Sequence, residues 1–274
     1  KVDTAFFDQA GDSYRKIRNT IRFLLSNLYD YPVSDDISSL DVSINDAPSD
    51  TLEGYMLKQC TDLQFNVTQA YSTFNFKLAH HLIYDFCNDT LSSFYCSISK
   101  DSLYCDAPDS TSRRSIQHTF WVILEVLLRL LSPILPHTSE EAYQSLHDRP
   151  DCCLFLEPTF QCRYEQDVSH WQDLLDQRQV VMKLLEDHKE KGIENSLDAG
   201  LILPQSMDYF SKLSVSLSDF FGVSRVSFAD QSESTLENLH HEPRCERSWK
   251  RDITVKERSN GILLSDRDAQ ILGL

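Results

Sequence analysis

Apolar residues recur at helical spacing in one long segment after another, and the first of these segments sets the terms for the fold. Residues 13–28 read SYRKIRNTIRFLLSNL. At 3.6 residues per turn, Tyr14, Ile17, Ile21, Leu24 and Leu28 fall into one apolar stripe. That stripe predicts a helix from about Phe6 to Tyr29 with one face against a core. Beside it stand Arg15, Lys16, Arg18 and Arg22, a local concentration of cations in a chain whose net charge is −16. Arg15, Arg18 and Arg22 are spaced i, i+3 and i+7 and share a neighbouring face. Such a helix can pack into a bundle and still offer guanidinium forks to phosphates, each fork donating two hydrogen bonds at once. A solvated face whose arginines pair with nearby acids has the same spacing.

Helical patterning continues to about residue 148. Segments from about Ser49 to Tyr71, Phe74 to Asn88 and Asp89 to Leu103 read as helices, and residues 33–49, rich in Ser, Asp and Pro, read as a loop. The most apolar helix carries Ile116, Phe120, Ile123, Leu124, Leu127 and Leu131, with Ser110 or Ser112 as its cap. Pro133 and Pro136 end it, and Thr138-Ser139-Glu140-Glu141 reads as the capped start of a last helix. Scarce Gly (7) and Pro (9) agree with helices rather than a turn-rich β fold. Short links between them make an antiparallel bundle over residues 1–149. Residues 150–230 change character: a helix from about Val168 to Lys191 stopped by Gly192, then two strand-like segments, Ala199–Leu203 and Val223–Phe228, form a small α/β junction subdomain. Residues 231–274 are polar and poor in core residues.

No apolar run reaches the roughly 18 residues that span a bilayer, so no membrane is expected. No signal peptide opens the chain, and its abrupt start reads as a piece of something longer. Of eight cysteines, Cys60, Cys87 and Cys96 sit in helical patterns, and Cys152-Cys153 are adjacent, a poor disulfide pair. A reduced, cytoplasmic setting follows. The acidic balance argues against nonspecific nucleic-acid binding, DNA included, but is compatible with a local positive surface.

The wording of several segments, in order along the chain, resembles the anticodon-binding region of bacterial isoleucyl-tRNA synthetases. YRKIRNTIRFLLSNL is similar to the first helix of that domain. DTLSSFYCSISKDSLYCD (residues 89–106) resembles its D-L-S-x-F-Y … K-D-R-L-Y segment, and LLSPILPHTSEE (130–141) its L-A-P-I-L-P-F-T-A-E-E turn. The stretch after Trp171 resembles the next long helix and strand, and CERSW (245–249) the C-E-R-C-W opening of a terminal zinc module. The resemblance implies a mainly α fold: a helical bundle, an α/β junction and a zinc-module-like terminal segment. In the family that module holds zinc with C-x2-C … C-x2-C. Here only Cys245 stands at a ligand position; Ser248 takes the second, and Ser265 and Asp268 align with the others. One thiolate and one carboxylate are too few for structural zinc, and His240 and His241 could be recruited only through a weak H-H-x3-C pattern, so this segment is expected to hold together by packing. No metal is assigned.

The resemblance further implies recognition of the anticodon stem and loop of isoleucine tRNA, by phosphate contacts for position and by stacking or edge contacts on unstacked bases. Candidate contacts are Arg15, Lys16, Arg18, Asn19 and Arg22 on the first helix, and Lys100, which could instead pair with Asp101 or Asp106. Arg113 and Arg114 open the apolar helix, where a cation opposes the macrodipole and an anion, external or from a nearby acid, would compensate. Trp249, flanked by Lys250 and Arg251, could stack on a base or pack in a core. Trp121 and Trp171 are expected to be core residues.

No phosphate-binding glycine loop, no G-x-S-x-G and none of the family's H-I-G-H or K-M-S-K-S type loops occur. The expectation is therefore a binding part without catalysis or cofactor of its own, in a monomeric parent whose N-terminal catalytic and editing domains would use ATP and Mg. Valyl, leucyl and methionyl relatives share such a bundle; the CERSW remnant and the lack of a terminal coiled coil favour isoleucine. A helical protein–protein scaffold without an RNA role is the alternative of another class.

Overall fold

The computed structural model describes residues 4–32, 47–189, 192–259 and 261–274. Most of the expected loop over 33–49, and the expected end of a helix at Lys191, lie outside these residues. The chain divides into two compact units: Lys1–Ser49, Glu53–Cys96 and Arg114–Gln166 form the first, and Asp50–Leu52, Ser97–Arg113 and Asp167–Leu274 the second. The fold is mainly α, as the periodicity predicts.

In the first unit, α1 (Ala5–Ser26), α2 (Leu52–Ser72), α3 (Phe76–Asp85), α5 (Thr111–Leu131) and α6 (Pro136–His147) supply the helices, while α4 (Cys96–Cys105) belongs almost wholly to the second. The whole predicted stripe of α5 is buried, and Phe120, Ile123, Leu124 and Leu127 are fully inaccessible. Tyr95 and Phe23 set their rings edge-on to Phe120, at 5.3 and 6.1 Å between centroids. On α1 the stripe is Ile17, Ile21 and Leu24, all buried, and Leu28, two residues past the helix end, is buried as well. Tyr14 is a correction: it is more than a third exposed, and its hydroxyl lies 3.2 Å from Thr138 Oγ1. Thr20 takes the buried place on the same face, its hydroxyl satisfied by the carbonyls of Lys16 and Cys87 at 3.0 and 3.3 Å.

Two boundaries also differ from expectation. The break placed at Asn88/Asp89 is absent, because α3 and α4 are joined by a π-helical stretch, Phe86–Tyr95. Ser93 donates to the Asn88 carbonyl at 2.8 Å, which gives that carbonyl of the widened turn a donor within the stretch. The last bundle helix begins at Pro136 rather than after a Thr138 cap, since proline at the first helical position needs no donor. Ser110, not Ser112, caps α5: its Oγ accepts from the Arg113 amide at 3.2 Å.

In the second unit, α7 (Gln172–His188) is followed by Gly192 at φ +96°, the left-handed stop that the sequence predicts. Strands β1 (Ala199–Pro204), β2 (Arg225–Ala229) and β3 (Thr235–Asn238) form a sheet of order β2-β1-β3. The β1–β2 pair is parallel with Gly200 opposite Arg225, and the β1–β3 pair antiparallel with Gly200 opposite Glu237. A Cβ on Gly200 would come within 3.2 Å of Glu237 Oε2 and 3.4 Å of Arg225 Cγ, so glycine leaves room for that ion pair. The sequence reading missed β3, which lies in the polar last stretch. Trp171 is fully buried against Phe220, 6.1 Å between ring centroids, with α8 (Leu217–Phe221) supplying the latter. The chain closes with a two-residue hairpin, β4 (Lys256–Glu257) and β5 (Leu263–Leu264), and α9 (Asp266–Leu272). Within the described residues no helix is long and apolar enough to cross a membrane. All eight cysteines carry free thiols, and burial pushes that of Cys87 up to about 12, which leaves it unreactive at neutral pH.

Candidate nucleic-acid interface

On α1, burying Ile17, Ile21 and Leu24 turns Arg15, Lys16, Arg18, Asn19 and Arg22 outward, and all five are exposed. Arg15 pairs with Asp12 one turn back, where both side chains are about 70% exposed and the pair is worth little. Lys16 donates to Asn88 Oδ1 at 2.9 Å and lies 5.6 Å from the centre of the Tyr84 ring. Arg18 and Arg22 make no ion pair or side-chain hydrogen bond with any described residue. Four residues apart, they sit one turn from each other, about 6 Å along the helix axis. Their guanidinium forks are thus available to an external anion.

Arg113 and Arg114 part company. Arg113 is buried, and its guanidinium donates to the carbonyls of Leu103 and Pro108 at 3.2 and 3.0 Å. It holds the turn before α5. Arg114 is about one-third exposed and donates to the Asp30 carbonyl and Gln117 Oε1 at 2.7 and 2.9 Å.

In the second unit, Lys100 and Tyr104 stand one turn apart on α4, and both are exposed. Lys100 does not take up Asp101 or Asp106, whose carboxylates receive Arg267 at 2.5 and 2.6 Å. Trp249 is 63% exposed and lies in the left-handed region at φ +62°. The loop around it is closed by two 2.9 Å bonds, from the Cys245 amide to the Lys250 carbonyl and from the Trp249 amide to the Cys245 carbonyl. A bulky residue at positive φ carries backbone strain of roughly 1–3 kcal/mol, so the loop spends stability to turn the indole outward. Its neighbours do not share that exposure. Lys250 binds Asp219 at 2.6 Å, and Arg251 binds Asp198 at 2.7 Å and the Glu242 carbonyl at 2.8 Å. Burial raises the pKa of Asp198, but the bonds from Arg251 and Arg244 outweigh that and hold its carboxyl below the usual range. Trp249, Lys100, Tyr104, Ile98, Leu197 and Arg247 line one cavity of about 630 Å³. Sequence reasoning missed Tyr104 and Arg247; the i, i+4 spacing of Lys100 and Tyr104 is the signal that could have found the first.

The positions that the resemblance aligns with zinc ligands do meet. Cys245 Sγ donates to Asp268 Oδ2 at 2.9 Å, and Ser265 Oγ donates to the same oxygen at 3.1 Å. One thiol, one carboxylate and one hydroxyl are the wrong donors for a tetrahedral zinc site. Among the described residues no group of three or more His, Cys, Asp or Glu could hold a metal ion. His240 and His241 lie instead beside Asp198 and Glu242, at 3.6 and 3.8 Å. Cys245, Val255, Leu264 and Ala269 form a buried cluster around the hydrogen-bonded group.

Comparison with known proteins bears on the same residues. The family model described as the anticodon-binding domain of tRNA ligase matches residues 53–203. The chain belongs to this family. The anticodon-binding domain is also 33% identical over 270 residues to the isoleucine–tRNA ligase of Petrotoga mobilis, an alignment covering 92% of this chain and 29% of that protein. It is 30% identical to isoleucine–tRNA ligase 1 of Oceanobacillus iheyensis, over 99% of this chain and 31% of the relative. The isoleucine–tRNA ligase of Thermotoga maritima is 30% identical over 96% of this chain and 30% of its own length. The domain thus spans just under a third of the curated relatives it matches. Arg15, Arg18, Arg22 and Trp249 lie outside the segment that the family model covers, and the longer alignments reach most of the chain beyond it.

Proposed function

We propose that this domain binds the anticodon stem and loop of isoleucine tRNA and holds it for ATP- and Mg-dependent aminoacylation by the rest of a longer, cytoplasmic isoleucine–tRNA ligase. The observation that carries the reading is the pair Arg18 and Arg22, exposed and without an acid among the described residues, in a chain of net charge −16. In an acidic protein, two such forks kept clear give a local positive surface, which suits a phosphate backbone. Trp249 supports the reading independently. A strained, exposed indole on the wall of a cavity large enough for a nucleotide is a platform for an unstacked base. Lys100, lining the same cavity, would then meet the phosphate or ribose of that nucleotide.

The test is a titration of unmodified isoleucine and valine tRNAs over a salt series, against this chain and its Arg18→Ala/Arg22→Ala variant. Loss of two phosphate contacts flattens the log–log salt dependence by about 1.5 and weakens binding at low salt. Preference for isoleucine tRNA supports the specific assignment. A variant that binds with unchanged affinity and unchanged slope refutes α1 as the contact face.

A further inference from the structure

The cavity beside Trp249 has two walls of different origin, one carried by α4 and one by the terminal loop that bears the indole. They are joined by ions. Asp101, on α4 next to Lys100, has a side chain only 10% exposed. Its Oδ2 receives Arg267 at 2.5 Å and Lys250 at 3.5 Å. Lys250 adjoins Trp249 in sequence, and Arg267 adjoins Asp268, the acceptor of the Cys245 and Ser265 hydrogen bonds. Lys250 is braced a second time by Asp219 at 2.6 Å. Arg247 completes the clasp by donating to the carbonyls of Tyr104 and Cys105 at 3.0 and 3.2 Å. Asp101 is the one carboxylate among the described residues that takes both Lys250 and Arg267.

We infer that Asp101 is a positioning residue for RNA binding: through Lys250 and Arg267 it sets the gap between the Trp249 indole and the α4 wall that carries Lys100 and Tyr104. This rests on the reading of Trp249 as a base platform. Asp101 also lines the cavity, but its carboxylate is only 10% exposed and is taken by Lys250 and Arg267. It holds the terminal loop so that indole and lysine face one nucleotide together.

The sign of one substitution separates this from simple electrostatics. Asp101→Asn removes a negative charge next to a polyanion's binding site, and Coulomb's law alone then predicts tighter binding. Positioning predicts weaker binding. Affinity for isoleucine tRNA is measured for the intact chain, for Trp249→Ala, for Asp101→Asn and for the double variant. Loss of one stacked base weakens Trp249→Ala about 10-fold. Asp101→Asn is expected to weaken binding several-fold, and the double variant to bind no worse than Trp249→Ala alone. Acrylamide quenching reads the same change directly, since Trp249 is exposed while Trp121 and Trp171 are buried. Bound RNA should shield the quenchable tryptophan in the intact chain and shield it less in Asp101→Asn.

Should Asp101→Asn fail to fold, Asp219→Asn decides, because it removes the nearer of the two carboxylates that hold Lys250 and likewise removes a negative charge. Tighter or unchanged binding by these variants, or additive losses in the double variant, overturns the positioning role while leaving the platform reading intact. Unchanged binding by Trp249→Ala overturns the platform reading, and the positioning role with it.

Discussion

Glu125 is fully buried in the first unit, and replacing it tests whether the fold depends on a charge in its core. Its Oε1 meets His147 Nε2 at 2.6 Å, and its Oε2 pairs with Arg129. His147 is itself inaccessible, and its Nδ1 has no hydrogen-bond partner among the described residues. In Glu125→Leu, His147 Nε2 becomes a second buried polar atom without a partner, at a cost of about 1–3 kcal/mol. Arg129 loses its counter-ion but keeps the carbonyls of Glu125 and Pro158, at 3.1 and 3.2 Å, and stays over the Tyr143 ring at 5.4 Å. Breaking a buried pair by removing one partner typically costs about 3–5 kcal/mol, and these retained contacts place the total near the lower end, about 3 kcal/mol. Melting followed by far-ultraviolet circular dichroism should then drop by about 6–12 °C. The triple variant Glu125→Leu/Arg129→Met/His147→Phe removes the stranded groups together and should recover most of that loss. A single variant within about 1 kcal/mol of the parent chain, or a triple variant no better than the single, would refute the reasoning.

Two further outcomes follow from the second unit. The folded pKa of Asp198 is depressed, so its stabilisation is complete above the unfolded carboxyl value of about 4 and is lost as pH falls through the lower folded value. Asp198→Asn should therefore lower stability at neutral pH and flatten its decline in acid; a parallel acid limb in parent and variant sinks this assignment. Stability of the terminal segment rests on the Cys245–Asp268–Ser265 group and its apolar cluster, so a strong chelator should leave the melting curve where it was, whereas Cys245→Ala should cost about 1–2 kcal/mol of stability. A melting temperature that falls with chelator means that a metal is bound after all.

The amino-acid sequence determined what depends on neighbours within a turn or two. The α1 and α5 stripes, the outward stance of Arg18 and Arg22, the Gly192 stop and strands β1 and β2 follow from periodicity and backbone preference, which act over a few residues. The resemblance aligned Cys245, Ser248, Ser265 and Asp268 with the family's zinc-ligand positions, although it did not supply the hydrogen bonds that join Cys245 and Ser265 to Asp268. Tertiary structure decided which cations remain available. Arg113 and Arg114 are adjacent, yet one is buried on the Leu103 and Pro108 carbonyls and the other reaches Asp30; Lys250 and Arg251 flank an exposed indole and are consumed by Asp219 and Asp198. The aspartates lie tens of residues away along the chain, where no spacing rule reaches. A charged side chain looks the same in sequence whether its counter-ion is a phosphate or a distant aspartate, and only folding brings that aspartate within 3 Å or leaves the place empty.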